Sequence, residues 1–161
     1  MTYADTIDEF LGSWKFLRKM TYDFIKGVPE DKWEYSPHPD YSPLCKQFRH
    51  MVWVSGLYNA AIRDRKIDFG KKKSSYSGGL GRNEVVSALE QKDLELTSIL
   101  NKLRSKDLGD FGIDFFGSIM RLNEYLHVLI QHEAMHHGHW ALYAKLGSFS
   151  VPKGWKENWE L

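Results

Sequence analysis

The sequence lacks paired cysteines, a large net charge and long apolar runs. Its 161 residues include one cysteine, Cys45, so no internal disulfide can form, which fits a reducing compartment. The formal net charge of +1 gives no reason to expect nucleic acid or an acidic membrane surface as a partner. No apolar run is long enough to span a bilayer, and the acidic N-terminus lacks a signal-peptide core. We therefore expect a cytoplasmic protein that binds neither nucleic acid nor membrane.

Helical periodicity is the main local pattern in the chain. Apolar residues recur at helical spacing in four segments, and no convincing strand alternation is present. These segments predict helices over residues 6–27, 42–65, 83–103 and 118–145. For the second helix, the pattern places Ser42 at the N-cap and Pro43 in the first turn. We predict one all-α domain over residues 1–161, which is long enough for a proper core.

The link between the second and third predicted helices is unusually long. Residues 66–82 are polar, contain glycine and include the lysine run Lys71–Lys73. Antiparallel neighbours in a bundle need only short loops, so this length indicates a crossover and parallel second and third helices. The lysine run is most simply a solvated loop, with anion binding as the alternative.

Histidines are the most informative residues. His132 and His136 are four residues apart on the fourth predicted helix, so both side chains can reach one metal ion. His50 is the best candidate for a third ligand, because the second helix is apolar nearly all round and places it in the interior. Three imidazoles with an open position are typical of a catalytic metal site. The alternative is a set of core histidines bonded to side chains or water.

Other residues near these histidines have weaker predictions. Glu133 is a candidate catalytic residue, as a base toward bound water or an acceptor for an imidazole N–H. Its alternative role is an ion pair with a neighbouring cation. His127 projects to the opposite side of the helix, and His137 and His139 lie on its flanks. Cys45 is interpreted as a packing residue.

Aromatic residues make up 14% of the chain. Trp140, Tyr143 and Trp53 could form a wall that holds an electrophilic substrate, although core packing is the alternative for each of them. Trp155 and Trp159 are expected to be exposed, where they could close over the site or contact a second subunit.

Two segments of the chain are similar to one known family. Ser42–His50 places a histidine after the start of the second helix, and residues 132–138 read His-Glu-Ala-Met-His-His-Gly. The flanking stretches 33–37 and 155–159 look similar as well. With these motifs the chain resembles the DinB-like (YfiT-like) metal-binding four-helix proteins over nearly its whole length. At His139 it departs from the family pattern, which usually has Gln.

The resemblance implies a fold and a metal centre. It implies a four-helix bundle with up-down-down-up topology and a long crossover between helices 2 and 3. It places the metal triad on His50, His132 and His136. The expected divalent ion is nickel or zinc, with iron and manganese as alternatives, because three imidazoles do not choose among them.

The resemblance also implies a class of activity. Some relatives use low-molecular-weight thiols, so we expect a metal-dependent thiol S-transferase or hydrolase-like enzyme with a bacillithiol- or glutathione-like cosubstrate. Its partners would be a small-molecule thiol or electrophile and a second copy of the chain in a homodimer. The alternatives are a non-catalytic metal-binding or stress-associated module acting as a dimer, and a structural dimer whose histidines only tune packing.

Overall fold

The computed structural model describes residues 3–70, 78–104 and 111–160. This part of the chain is mostly helical, as predicted. Its elements are α1 (Tyr3–Gly27), α2 (Leu44–Asp64), α3 (Arg82–Leu103), β1 (Gly112–Phe115), β2 (Ser118–Arg121), α4 (Leu122–Leu146) and α5 (Lys153–Trp159), with a 3-10 turn at Glu30–Lys32. None of the described helices has the length and apolar content needed to cross a bilayer. The run Lys71–Lys73, for which a solvated loop is predicted, lies outside the described residues.

The long helices pack around two apolar clusters. The first cluster joins the first half of α1, the second halves of α2 and α3, and the start of α4. Its members include Ile7, Trp14, Ile62, Leu100 and Leu126. The second cluster joins the opposite ends of the same helices with α5. Its members include Phe24, Phe48, Leu89, Trp140 and Trp155.

A layer of polar side chains lies between the two apolar clusters. On α4 it falls between Leu129 of the first cluster and Trp140 of the second. Its buried members include Arg18, Thr21, Ser55, Glu133, His136 and His137. Because close apolar packing on both sides holds the helices, the groups of this layer are kept in fixed relative positions.

The start of α2 differs from the prediction. The helix begins at Leu44, and Pro43 rather than Ser42 is the N-cap. The Pro43 carbonyl accepts hydrogen bonds from the amides of Lys46 and Gln47, whereas the first two amides of the helix donate to carbonyls of the preceding loop. The Ser42 carbonyl instead accepts the hydroxyl of Tyr143 on α4 at 3.0 Å. Ser42 therefore ties the preceding loop to α4 and does not cap α2.

A β-hairpin contradicts the expectation that the chain has no strands. Strands β1 and β2 pair antiparallel, and the turn between them consists of Phe116 and Gly117. Both turn residues have positive φ, 55° and 86°, as tight two-residue hairpin turns require. The first turn position is usually Asn, Asp or Gly, so a phenylalanine there gives little sequence signal.

The hairpin also shortens the last long helix. Residues 118–121, predicted as its first turn, belong to β2, so α4 begins at Leu122. The Glu124 carboxylate accepts a hydrogen bond from the Arg121 N–H at 2.8 Å. This contact satisfies one of the free amides at the helix start and fixes the boundary.

The two C-terminal tryptophans differ in their exposure to solvent. Trp155 is 1% exposed, and its indole N–H donates to the Met20 carbonyl at 3.0 Å. The prediction that Trp155 is exposed is therefore wrong, because α5 folds back onto α1 and the second apolar cluster. Trp159 is 52% exposed, as expected.

Candidate metal centre

Helices α2 and α4 bring His50, His132 and His136 together in the polar layer; these residues are called the histidine triad. Each ring offers one nitrogen, and the three nitrogens lie within 4.8 Å of one another. The ring centroids are 4.6 to 5.5 Å apart. A metal–imidazole bond is about 2.1 Å long, so small side-chain rotations suffice for the three nitrogens to share one ion.

His136 shows most directly that the triad fits a ligand. Its side chain is 7% exposed, and both ring nitrogens are buried without a hydrogen-bond partner. In the part of the chain that the structure describes, no other buried side-chain nitrogen or oxygen lacks a partner. A buried polar group without a partner is costly. A divalent cation would bind one of these nitrogens together with one ring nitrogen each from His50 and His132.

The imidazole rings of the triad are in the neutral form that binds metals. Burial lowers the pKa of His132 to about 4, with a further contribution from His50. Burial also lowers the pKa of His136 to about 3, and the other two triad rings act in the same direction. Burial likewise lowers the pKa of His50. All three rings are therefore neutral at pH 7, and no proton has to leave before a metal binds.

His50 is half-buried rather than fully interior as predicted. The reason is a cavity of about 730 Å³ that His50 and His136 border. This volume is typical of sites for small molecules. The cavity has apolar walls at Leu142, Tyr143 and Leu146, and His139 lines it as well.

The wall opposite α4 is a loop held by its own hydrogen bonds. The Ser36 hydroxyl lies 2.8 Å from the carbonyl oxygens of His38 and Tyr41, to which it donates. The Asp40 N–H donates to Nδ1 of His38 at 3.2 Å. These hydrogen bonds hold the loop residues His38, Asp40 and Tyr41, which line the cavity.

The three aromatic residues predicted to form a wall have different positions. Tyr143 lines the cavity. Trp140 is fully buried in the second apolar cluster, and its indole N–H donates to Gln47 at 3.1 Å. For Trp140 the core-packing alternative therefore holds. Trp53 lies beside the triad, with its ring 5.9 Å from that of His50.

Glu133 faces away from the triad and contacts Arg18. The Arg18 Nη1 lies 3.0 and 3.1 Å from the two carboxylate oxygens of Glu133, and the Glu133 residue is 1% exposed. Arg18 also donates from Nε to Asp93 at 2.9 Å and from Nη2 to Ser55. Burial by itself would lower the pKa of Arg18, but Glu133 and Asp93 raise it.

Thr21 and His137 complete this set of contacts. The Thr21 hydroxyl donates to Glu133 and accepts from the His137 ring at 2.8 Å. We refer to the connected residues as the Arg18 cluster, which consists of Arg18, Thr21, Ser55, Asp93, Glu133 and His137. The contacts of Glu133 match its alternative role as the partner of a cation. Its predicted catalytic role stays a prediction.

The sequence analysis did not predict most of the Arg18 cluster, although the sequence contains one indication of it. Arg18 lies four residues after Trp14 and three before Thr21, so it falls on the apolar stripe of α1. A charged residue on such a stripe needs a buried partner of opposite charge. That requirement predicts an ion pair, but it does not identify Glu133 as the partner.

The remaining predictions near the site have clear outcomes. His127 is exposed and borders a different groove, next to α1. Cys45 is buried in the second apolar cluster, and burial raises the pKa of its thiol, so packing is its role. His137 is buried rather than on an open flank. His139 lines the cavity beside the triad.

The chain is similar to one known protein family. The family model described as the DinB superfamily matches residues 13–140, which include all three triad histidines. No curated protein matches the chain.

Proposed function

This chain belongs to the DinB superfamily, and on that premise we propose that it binds one divalent metal ion through His50, His132 and His136. The buried, unpartnered nitrogens of His136 are the observation that supports this best. The convergence of the three ring nitrogens adds to it. Nickel and zinc are the proposed ions, since both accept imidazole ligands readily. Iron and manganese are the alternatives.

The proposed architecture is an up-down-down-up bundle over residues 1–161. The second halves of α2 and α3 share the first apolar cluster with the first half of α1 and the start of α4. The first halves of α2 and α3 share the second cluster with the later parts of α1 and α4. This distribution supports parallel α2 and α3 helices, both antiparallel to α1 and α4, as the long link over residues 66–82 predicts; residues 71–77 of that link lie outside the described part of the chain.

The proposed activity is metal-dependent transfer of a small thiol to an electrophile. A bound divalent ion lowers the pKa of a coordinated thiol, so that the nucleophilic thiolate exists at neutral pH. The neutral imidazoles of the triad would supply the ligands, and the cavity that His50 and His136 border would admit the thiol. Tyr143 and Leu142 would hold the apolar part of the electrophile, while the loop around Tyr41 limits access of water. A hydrolase-like reaction at the same site is the closest variant.

A non-catalytic metal-binding or stress-associated module acting as a dimer is the second candidate. The observation that favours it is an exposed apolar stripe on α4, consisting of Met135, Leu142 and Leu146. Exposed apolar patches of this kind mark surfaces for partners. A homodimer is accordingly part of both proposals, and sedimentation of the purified protein tests it.

Metal analysis and a conjugation assay test the proposed function. The purified protein is reconstituted with nickel or zinc, and bound metal is measured by elemental analysis, with one ion per chain expected. His136→Ala is expected to abolish binding, whereas the control His127→Ala keeps it. Conjugation of cysteine or glutathione with a chromogenic electrophile is then compared with and without metal. Metal content that never approaches one per chain contradicts the metal site, and full occupancy without a metal-dependent rate favours the non-catalytic module.

A further inference from the structure

His139 shares a helix face with two residues of the histidine triad. His132, His136 and His139 have the spacing i, i+4 and i+7 on α4, which places them in one row along the helix. The His139 ring lies 5.9 Å from that of His136 and nearly perpendicular to it. The row therefore extends from the triad into the cavity.

His139 is outside the group of nitrogens that can share an ion. The triad nitrogens lie within 4.8 Å of one another, and His139 does not belong to that group. Seven residues of helix, about 10 Å of rise, also separate it from His132. A single ion held by the triad would therefore leave His139 uncoordinated.

The cavity gives His139 access to whatever binds at the triad. His50, His136 and His139 all border the cavity, whereas His132 is not among its lining residues. A small molecule that enters through the cavity therefore approaches the triad past His139. His139 is exposed, and none of the described residues forms a hydrogen bond with its ring. Its N–H is thus available to an incoming ligand.

We infer that His139 is a substrate-binding residue that donates a hydrogen bond to the sulfur of a thiol bound at the triad. This inference rests on the proposed function and adds a residue that the triad itself does not include. A thiol held there would bind as the thiolate and release its proton to bulk water. A thiolate sulfur is an anionic acceptor, and a hydrogen bond to a charged group is stronger than one between neutral groups. On that wall Leu142 is apolar and the Tyr143 hydroxyl already donates to the Ser42 carbonyl, so His139 offers the donor that has no partner among the described residues.

Cobalt-loaded protein tests this inference with 2-mercaptoethanol as the probe. The absorption band that arises when sulfur binds Co²⁺ reports the dissociation constant of the thiol, independently of any activity. We expect His139→Ala to weaken thiol binding about tenfold, the value of one such hydrogen bond, while its Co²⁺ affinity stays within about twofold of wild type. His139→Gln keeps an N–H donor and is expected to restore most of the thiol affinity. His127→Ala, on another groove, is the matched control.

Three outcomes contradict the inference. Wild-type thiol affinity in His139→Ala shows that the ring does not contact the sulfur. A large loss of Co²⁺ affinity in that variant shows that His139 is a metal ligand. Absence of the sulfur band in cobalt-loaded wild type shows that no thiol binds at the triad. Failure of the proposed metal site is distinguishable, because wild-type protein then takes up no Co²⁺ before thiol is added. Unfolding curves of the metal-free variants establish that all of them are folded.

Discussion

The Arg18 cluster and the histidine triad lie in the same polar layer and use neighbouring residues of α4, yet their hydrogen bonding is opposite. In the Arg18 cluster, Glu133 has partners on both carboxylate oxygens, and His137 is bonded to Thr21. In the histidine triad, the buried nitrogens of His136 have none. Since folding alone satisfies the first cluster and not the second, we interpret the first as structural and the second as a ligand site.

The comparison shows how one helix can serve two purposes. Glu133 and His137 are four residues apart and face α1, whereas His132 and His136 are four residues apart and face α2. An offset of one residue therefore separates an internal ion pair from a candidate metal site. Glu133, His136 and His137 are all buried and polar, so burial alone does not distinguish the two sets. The presence or absence of partners does.

Removing Arg18 is expected to have the largest effect on stability. Arg18→Met leaves Glu133 and Asp93 without their cation, and breaking a buried pair from one side costs about 3–5 kcal/mol. Urea unfolding of the metal-free protein measures the change. Lys19→Met is the control, because Lys19 forms an exposed pair with Asp23 and its loss costs less than about 1 kcal/mol. Equal effects of the two substitutions would mean that the Arg18 cluster is not a structural unit.

Replacing His136 tests the other half of the comparison. His136→Leu fills a similar volume without polar nitrogens, so the metal-free variant is expected to be at least as stable as wild type. The free energy of unfolding of wild type is expected to rise by about 2.7 kcal/mol when free metal is 100 times the dissociation constant. That of the variant is expected to stay the same. Thermal unfolding with and without Ni²⁺ measures both effects. If the metal-free variant is strongly destabilised, His136 has a structural role like that of His137.

The pH dependence of the metal-free protein follows from the lowered pKa values. His132 and His136 have pKa values of about 4 and about 3 in the folded chain, against 6.5 in the unfolded chain. Below pH 6.5 the unfolded chain therefore binds more protons, and the free energy of unfolding falls as the pH falls toward 4. Urea unfolding with a chelator over this range measures the slope. A shallower slope is expected in His136→Leu, and an unchanged slope would contradict the assigned pKa of His136.

The last prediction is an unchanged metal affinity, and it tests the boundary between the two clusters. Thr21→Val removes the hydroxyl that bridges Glu133 and His137, which is expected to cost about 1–3 kcal/mol because buried groups lose a partner. Metal affinity should stay at the wild-type value, since the Thr21 hydroxyl hydrogen-bonds Glu133 and His137, which both belong to the Arg18 cluster. Isothermal titration with Ni²⁺ measures the affinity. A parallel loss of metal binding would mean that the two clusters act as one network.

Local sequence patterns predicted the long helices and identified the triad residues as candidate metal ligands. Periodicity is a strong signal in segments of this length, and the i, i+4 pair on α4 follows from helix geometry alone. The β-hairpin was missed because its strands are short and Phe116 is an unusual residue for a tight turn. His139 was assigned to a flank, although its spacing from His132 and His136 places it in the same row.

Contacts between distant segments were beyond the reach of the sequence. The pairing of Arg18 with Glu133 depends on how α1 and α4 are rotated against each other, and periodicity gives each face without that rotation. The burial of Trp155 depends on the return of α5 to α1 across the bundle. His50 was correctly placed on α2, but its half-exposure is set by the cavity, which is formed by segments far apart in the chain.

The positions of the triad ligands along the chain have a mechanical consequence. The candidate ligands are residue 50 on α2 and residues 132 and 136 on α4, so an ion held there would cross-link α2 to α4 and close a long loop of polypeptide. Closing a loop restricts the unfolded chain most when the loop is long. In a protein with a single cysteine, a coordinated ion would thus take the role that a disulfide has in secreted proteins. Unlike a disulfide, such a cross-link would be reversible and would depend on the metal concentration.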